Sequence, residues 1–381
     1  MYLVRIYICL AIIFTAIPFA NASEILPEDR LSAVVLSYHR IGEEAYPDTN
    51  ITKEQFEAHL RELQSGQYHL MPLPVILNHI KTETPLPSHA LAITFEGAYN
   101  SAYENGMKKL LEAGIPFTVF FSSDLADSGV TQFMNWQDLG SLHKNDLVSI
   151  GILPAAHERI SGKSETQTVS QINRAKQRYR KEFGAEPEIF SYPFGEYSTA
   201  QHDLIANLGF TAAFGLQSGV LYSGVDMFAL PRFSMTESHG DLDRFTLVAN
   251  ALPLPAINIE PEAPIQQGAQ PFLGFTPAPQ LVPDLGALSC FISGQGKVPL
   301  ELVGRDRIEI RPAAPLDEER TRVNCTMPGP PTEAENPRWR WLGMLVVGAG
   351  LQTDTDAETE TGADIENISE EPNILPPDEL P

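Results

Sequence analysis

The sequence predicts an α/β barrel followed by a small all-β sandwich, and three observations predict it. Over residues 33 to 254 short apolar runs alternate with amphipathic stretches, the pattern of repeated strand and helix units. Around Pro253 that pattern gives way to proline-rich chain and then to short β runs separated by Gly, Pro and Asp. The length of 381 residues also suits about two domains.

The elements follow in order. The first strand spans residues 33 to 38. Thr52 and Gln55 form a capping box that opens a helix through Phe56, Leu60 and Leu63, and Gly66 ends it. A strand at 69–71, a helix at 73–81 and a Pro-rich turn lead into a strand at 91–95. A helix at 102–113 stops at Gly114, and 117–121 is the most strand-like run. A short helix at 136–142 precedes a strand at 147–150. A long helix within 161–183 places Ile172, Ala175, Tyr179 and Phe183 on one side, with a solvated Arg- and Lys-rich face opposite. Strands at 189–192 and 212–214 and helices at 199–208 and 242–252 complete a domain over 31–254.

Residues 255–284, crowded with proline, are expected to form a linker. Runs at 288–292, 300–303, 307–310, 322–326 and 339–347 predict a β sandwich over 285–351. Within it Trp339-Arg-Trp341 offers either an aromatic sugar platform or ordinary packing. Residues 352–381 hold ten acidic residues and no basic ones, so this tail is expected to be disordered.

Residues 1–22 read as a secretory signal, with Arg5, an apolar core from 6 to 19 and Ala20-Asn21-Ala22 as the cleavage site. The apolar run is shorter than the roughly 20 residues a bilayer requires, so the expectation is an exported protein, periplasmic or secreted, rather than an integral membrane protein. Cys9 would leave with the signal. Cys290 and Cys325 remain, and an oxidising compartment favours their pairing. A net charge of -23 argues against nucleic acid as a partner, because phosphate binding needs clustered Lys and Arg.

The candidate chemistry gathers at strand ends. Leu91-Ala-Ile-Thr-Phe-Glu-Gly-Ala-Tyr99 is an apolar strand ending in an acid, a glycine and an aromatic, which sets Glu96 at the lip of a pocket. Phe190-Ser-Tyr-Pro-Phe-Gly-Glu-Tyr197 runs a second strand into a Pro-x-Gly turn, and Ser37-Tyr-His-Arg-Ile-Gly42 follows the first strand. Together these motifs resemble those of the polysaccharide deacetylases, the NodB-homology domain of carbohydrate esterase family 4. The resemblance implies an irregular (β/α) barrel and a hydrolase that removes N-acetyl groups from sugars with a divalent metal such as zinc. In such chemistry the metal polarises the amide carbonyl and lowers the pKa of the attacking water.

Carried over residue by residue, the resemblance makes Glu96 the base, Phe194 the donor of an oxyanion-facing N–H, and Arg232, within Leu230-Pro-Arg232, the partner of the base. It places the metal ligands at Gly97, Leu153 and His157, of which His157 alone can coordinate. A lone imidazole does not make a specific zinc site. His39, Tyr99, Tyr192 and Tyr197 are candidates for substrate contact. His202 and His239 are weaker candidates for a proton donor to the leaving amine. Three functional readings follow: a binder of N-acetylated glycans in the cell envelope that has lost the metal, an altered deacetylase with a rebuilt site, and an interaction module that uses the β domain and acidic tail.

Overall fold

Strand β1 (Ser32–Tyr38) is buried at every residue, because it lies inside a curled sheet with neighbours on both sides. The structure, a computed structural model, describes residues 25–266, 271–316, 319–331 and 338–348. The expected signal (1–22) and acidic tail (352–381) lie outside the described residues.

After β1 come the paired two-residue strands β2 (Arg40–Ile41) and β3 (Asn50–Ile51), α1 (Lys53–Leu63), β4 (His69–Leu70), α2 (Leu73–Lys81) and β5 (Ala90–Glu96). Helical chain then runs as α3 (Asn100–Ala102), a π turn (Tyr103–Met107) and α4 (Lys108–Glu112). β6 (Phe117–Phe121), α5 (Ser123–Ser128), α6 (Trp136–His143), β7 (Val148–Ile152), α7 (Glu165–Phe183), β8 (Ile189–Ser191), α8 (Thr199–Ala206) and β9 (Ala212–Phe214) continue the alternation. β10 (Val220–Tyr222), β11 (Phe233–Ser234) and α9 (Leu242–Ala249) close the domain.

The sheet order is β10-β1-β5-β6-β7-β8-β9, with β11 on β1 and β4 on β5. Every pairing along it is parallel except β1 with β10. This is the curled half-barrel of an irregular (β/α) fold. β5 and β6 are buried at every residue, which is why they read as unbroken apolar runs rather than alternating ones. The Thr52–Gln55 capping box forms as expected. On α7, Ile172, Ala175 and Tyr179 are buried, while Arg174 and Arg178 on its outer face pair with Asp124 and Asp127.

The C-terminal region is two packed sheets. β12 (Leu252–Pro253), β20 (Trp339–Val347), β19 (Arg320–Pro328), β15 (Ser289–Ile292) and β16 (Gly296–Val298) form one. β13 (Ala256–Glu260), β14 (Gly274–Pro277), β18 (Arg307–Ile310) and β17 (Leu300–Val303) form the other. Their facing side chains, among them Phe275, Ile308, Ile310, Val323 and Met327, share one buried cluster. The expected linker over 255–284 is therefore corrected: β13 and β14 are integral strands of the second sheet. Pro277 ends β14, and Pro279 and Pro283 lie in the 3-10 turn Pro279–Ala287, where the ladder can spare an N–H.

Cys290 and Cys325 lie directly opposite on β15 and β19 and form a disulfide. Trp341 packs edge-on against Phe233 of the half-barrel and donates from Nε1 to Asn324, so at this residue packing accounts for the Trp-Arg-Trp run. Among the described residues no helix is long and apolar enough to cross a membrane.

Candidate functional site

β5 delivers Glu96 to the carboxyl end of the sheet as its last residue, 1% exposed. One carboxylate oxygen, Oε2, accepts from Ser191 Oγ at the end of β8 (2.6 Å) and from Arg232 Nη2 (2.6 Å). Arg232 Nη2 also reaches Ser191 Oγ at 2.8 Å, and its Nε donates to the Gly215 carbonyl at 3.0 Å. The other oxygen, Oε1, lies 3.9 Å from His39 Nε2. Burial pushes the Glu96 carboxyl up, but Arg232, His39 and Ser191 outweigh it and hold the group below the ordinary carboxylate range. Burial drives His39 down to about 4 against the pull of Glu96. His157 is lowered by burial in the same way, with Glu96 opposing. The site is thus a buried carboxylate clamped by one guanidinium, beside two imidazoles whose pKa values burial lowers.

The chain leaves Glu96 by a sharp turn, with Gly97 at φ 95° and Ala98 at φ 51°. A Cβ at Gly97 would lie 2.4 Å from Tyr99 Cε2, so the Tyr99 ring fills the space into which a side chain at 97 would project. That ring carries the Arg40 guanidinium 4.0 Å from its centroid, and Tyr46 flanks the same guanidinium at 4.0 Å. Arg40 Nη1 donates to Thr49 Oγ1 at 2.6 Å. The Arg40 charge also contributes to lowering both His39 and His157.

The turn after β8 forms the other wall. Phe194 has φ 58°, its carbonyl accepts from Arg320 Nη2 at 2.6 Å, and its ring stacks on His157 at 5.5 Å and 7°. Glu196, fully buried, pairs with Arg320 and lies 3.2 Å from Arg159 Nε. Burial raises Glu196 above its usual range despite both arginines. Arg320 comes from β19, so the sandwich helps to build this wall.

The structure brings Glu96, Arg232 and His39 into direct range, with His157 and Phe194 on the rim. It does not bring Tyr192 and Tyr197 to a substrate surface, which corrects that expectation. Both are buried in the main core, stacked on each other at 4.2 Å, with the Tyr192 hydroxyl donating to the Phe228 carbonyl. His202 is held on α8 between Asp203 (3.0 Å) and Asp226 (2.8 Å). Sequence reasoning assigned no role to Ser191, Arg40, Arg159 or Arg320. Ser191 lies inside a quoted motif, but its partners are 95 and 41 residues away, and no local spacing signals them.

The residues do not fit the divalent metal that the motif resemblance implied. Leu153 is fully buried with Phe120, Phe214 and Leu230 in an apolar cluster, and Tyr99 covers Gly97. Among the described residues no group of three or more His, Cys, Asp and Glu side chains is placed to hold an ion.

Residues 83–213 match the family model for polysaccharide deacetylase. This stretch of the half-barrel resembles a polysaccharide deacetylase domain. The fold is shared with solved members. A Streptococcus pyogenes deacetylase, PplD, in complex with acetate superposes with TM-score 0.53 at 14% identity, covering 58% of this chain and 99% of that one. A de-N-acetylase from Aggregatibacter actinomycetemcomitans gives 0.51 at 17% identity, over 57% and 99%. IcaB from Ammonifex degensii gives 0.50 at 20%, over 57% and 96%. At such identities the likeness is one of fold. No curated protein matches the chain. The half-barrel that carries this match sits beside a sandwich that accounts for much of the remaining chain.

Proposed function

We propose that this chain is a glycan-binding descendant of the polysaccharide deacetylases, acting on N-acetylated polysaccharide of the cell envelope without metal-dependent deacetylation. One observation carries the reading: the place of the family's metal-binding acid is taken by Gly97, with the Tyr99 ring lying where its side chain would project. The carboxylate that remains, Glu96, is committed through Oε2 to Arg232 and Ser191. The Cys290–Cys325 disulfide and the leader-like residues 1–22 support an exported location, periplasmic or secreted.

A second reading has its own observation. Glu96 keeps the buried Arg partner that the family gives its base, and His39 stands 3.9 Å from its second oxygen. On that reading Glu96 is a metal-free general base that takes a proton from water as it attacks the amide. The third reading, an interaction module, would rest on the sandwich and the tail. It has weaker support, because the sandwich is tied to the half-barrel by Arg320 rather than held apart.

Zinc and cobalt stoichiometry of the purified protein, with His157→Ala beside it, tests the proposal together with calorimetry on N-acetylglucosamine oligomers. Oligomer binding with no bound ion and no acetate released is the expected result. Near one ion per chain, lost in the variant and accompanied by acetate release, would overturn it. Acetate release that chelators do not inhibit would favour the metal-free base.

A further inference from the structure

Two arginines at the same carboxyl end of the sheet have no carboxylate partner among the described residues. Arg322, on β19, donates from Nη1 to the Leu216 carbonyl at 3.0 Å. Arg244, on α9, donates from Nη1 to the His239 carbonyl at 2.9 Å. Among the described residues the second Nη of each guanidinium has no hydrogen-bond acceptor. His239 is exposed, and its Nδ1 is engaged by Thr236 and Ser238.

The backbone fixes where these groups stand. Leu216 adjoins Gly215, whose carbonyl receives Arg232 Nε, so Arg322 lies one residue from the clamp on Glu96. His239 follows β11, which pairs with β1 and bonds Met235 N to the Ser37 carbonyl, two residues before His39. Arg322 therefore approaches from the β9 side of the lip, and Arg244 with His239 from the β1 side. Burial and the neighbouring guanidinium charges of Arg320 and Arg244 lower Arg322, and Arg244 and Arg322 both lower His239 after burial. Nearby acids include Asp48, Glu237, whose carboxylate accepts from Asn50, and Asp241, which caps α9 through the Arg244 backbone N–H and favours the Arg244 charge.

Partly buried cations left unpaired disfavour the empty state, and an arriving anion would relieve them. In a chain of net charge -23, general attraction cannot gather polyanions, so a local site has to do so. We propose that Arg244, His239 and Arg322 form an anion subsite beside the Glu96 clamp, taking the carboxylate or phosphate of an acidic glycan. This rests on the glycan-binding reading above and adds the charge class of the ligand.

Binding of polygalacturonate, a glycerol phosphate polymer and neutral N-acetylglucosamine hexamer to the full chain tests it, measured by calorimetry. At least one acidic polymer should bind more tightly than the hexamer, and which one does so separates carboxylate from phosphate recognition. Arg244→Gln combined with Arg322→Gln should weaken that polymer by roughly tenfold or more while leaving the hexamer unaffected. Arg180→Gln with Lys181→Gln, on the outer face of α7, should leave both ligands unaffected. Inorganic phosphate should displace the polymer from the unaltered protein better than chloride at equal ionic strength, a readout that needs no variant. If neither acidic polymer outbinds the hexamer, or phosphate competes no better than chloride, the subsite is refuted while hexamer binding keeps the glycan reading. If no ligand binds, both fall.

Discussion

Glu96 and Arg232 stand 136 residues apart in the chain and share one buried contact, with side chains 1% and 0% exposed. A charge so placed is held by its partner and by the surrounding donors, since water cannot replace either. Glu96→Gln keeps the shape of the side chain and removes its charge, leaving the Arg232 guanidinium buried without a counter-ion. The expected loss is roughly 3–5 kcal/mol of stability, measured by urea unfolding. Arg232→Met alone should cost a similar amount, and the double variant less than the two together. A loss below about 1 kcal/mol for Glu96→Gln would show that the pair does not organise the site.

At the scale of the element, α8 presents a titration that the strands around it lack. His202 lies between Asp203 and Asp226, and their hydrogen bonds raise it from 6.5 to about 9, Asp226 foremost and burial opposing. A folded pKa above the unfolded one means the stabilisation is fully present below pH 6.5 and is lost as pH rises through about 9. Because the group is partly exposed, solvent screening limits the effect to about 1 kcal/mol. Unfolding free energies at pH 6, 7.5 and 9 should fall more steeply for the unaltered protein than for His202→Gln. Parallel slopes would show that the two aspartates do not hold the charged imidazole.

Across the whole molecule the half-barrel and the sandwich act as one packed body. Gly219 of the half-barrel bridges Leu342 of β20, and Arg320 of β19 ties the Phe194 carbonyl. The two backbones also run close at Gly343, where a Cβ would lie 2.0 Å from the Ser218 carbonyl oxygen. Backbone atoms cannot yield as a flexible side chain would, so Gly343→Ala should cost about 1–3 kcal/mol. Its urea midpoint, followed by circular dichroism, should fall accordingly. An unchanged midpoint would mean that the two parts are not in this contact.

Much of the fold was legible in the chain because buried parallel strands and capped helices leave local signatures. The runs at 91–95 and 117–121, the Thr52–Gln55 capping box and the apolar face of α7 all depend on near neighbours, and each forms. The proline-rich segment over 255–284 misled because proline lowers strand propensity locally, whereas β14 is held from outside by β13 and β18. At the site, the chain order of Glu96, His157, the Phe194 turn and Arg232 sufficed to suggest a family, and that resemblance puts Gly97 and Leu153 at two of its ligand positions. It could not show that the Tyr99 ring lies over Gly97, that Tyr192 and Tyr197 face the core, or that β19 brings Arg320 and Arg322 to the lip. The sequence by itself determined the strand and helix alternation and the carboxylate at a strand end. Only the tertiary structure decided which charges meet, because ion pairs and ring contacts between residues a hundred positions apart depend on packing geometry rather than on local preference.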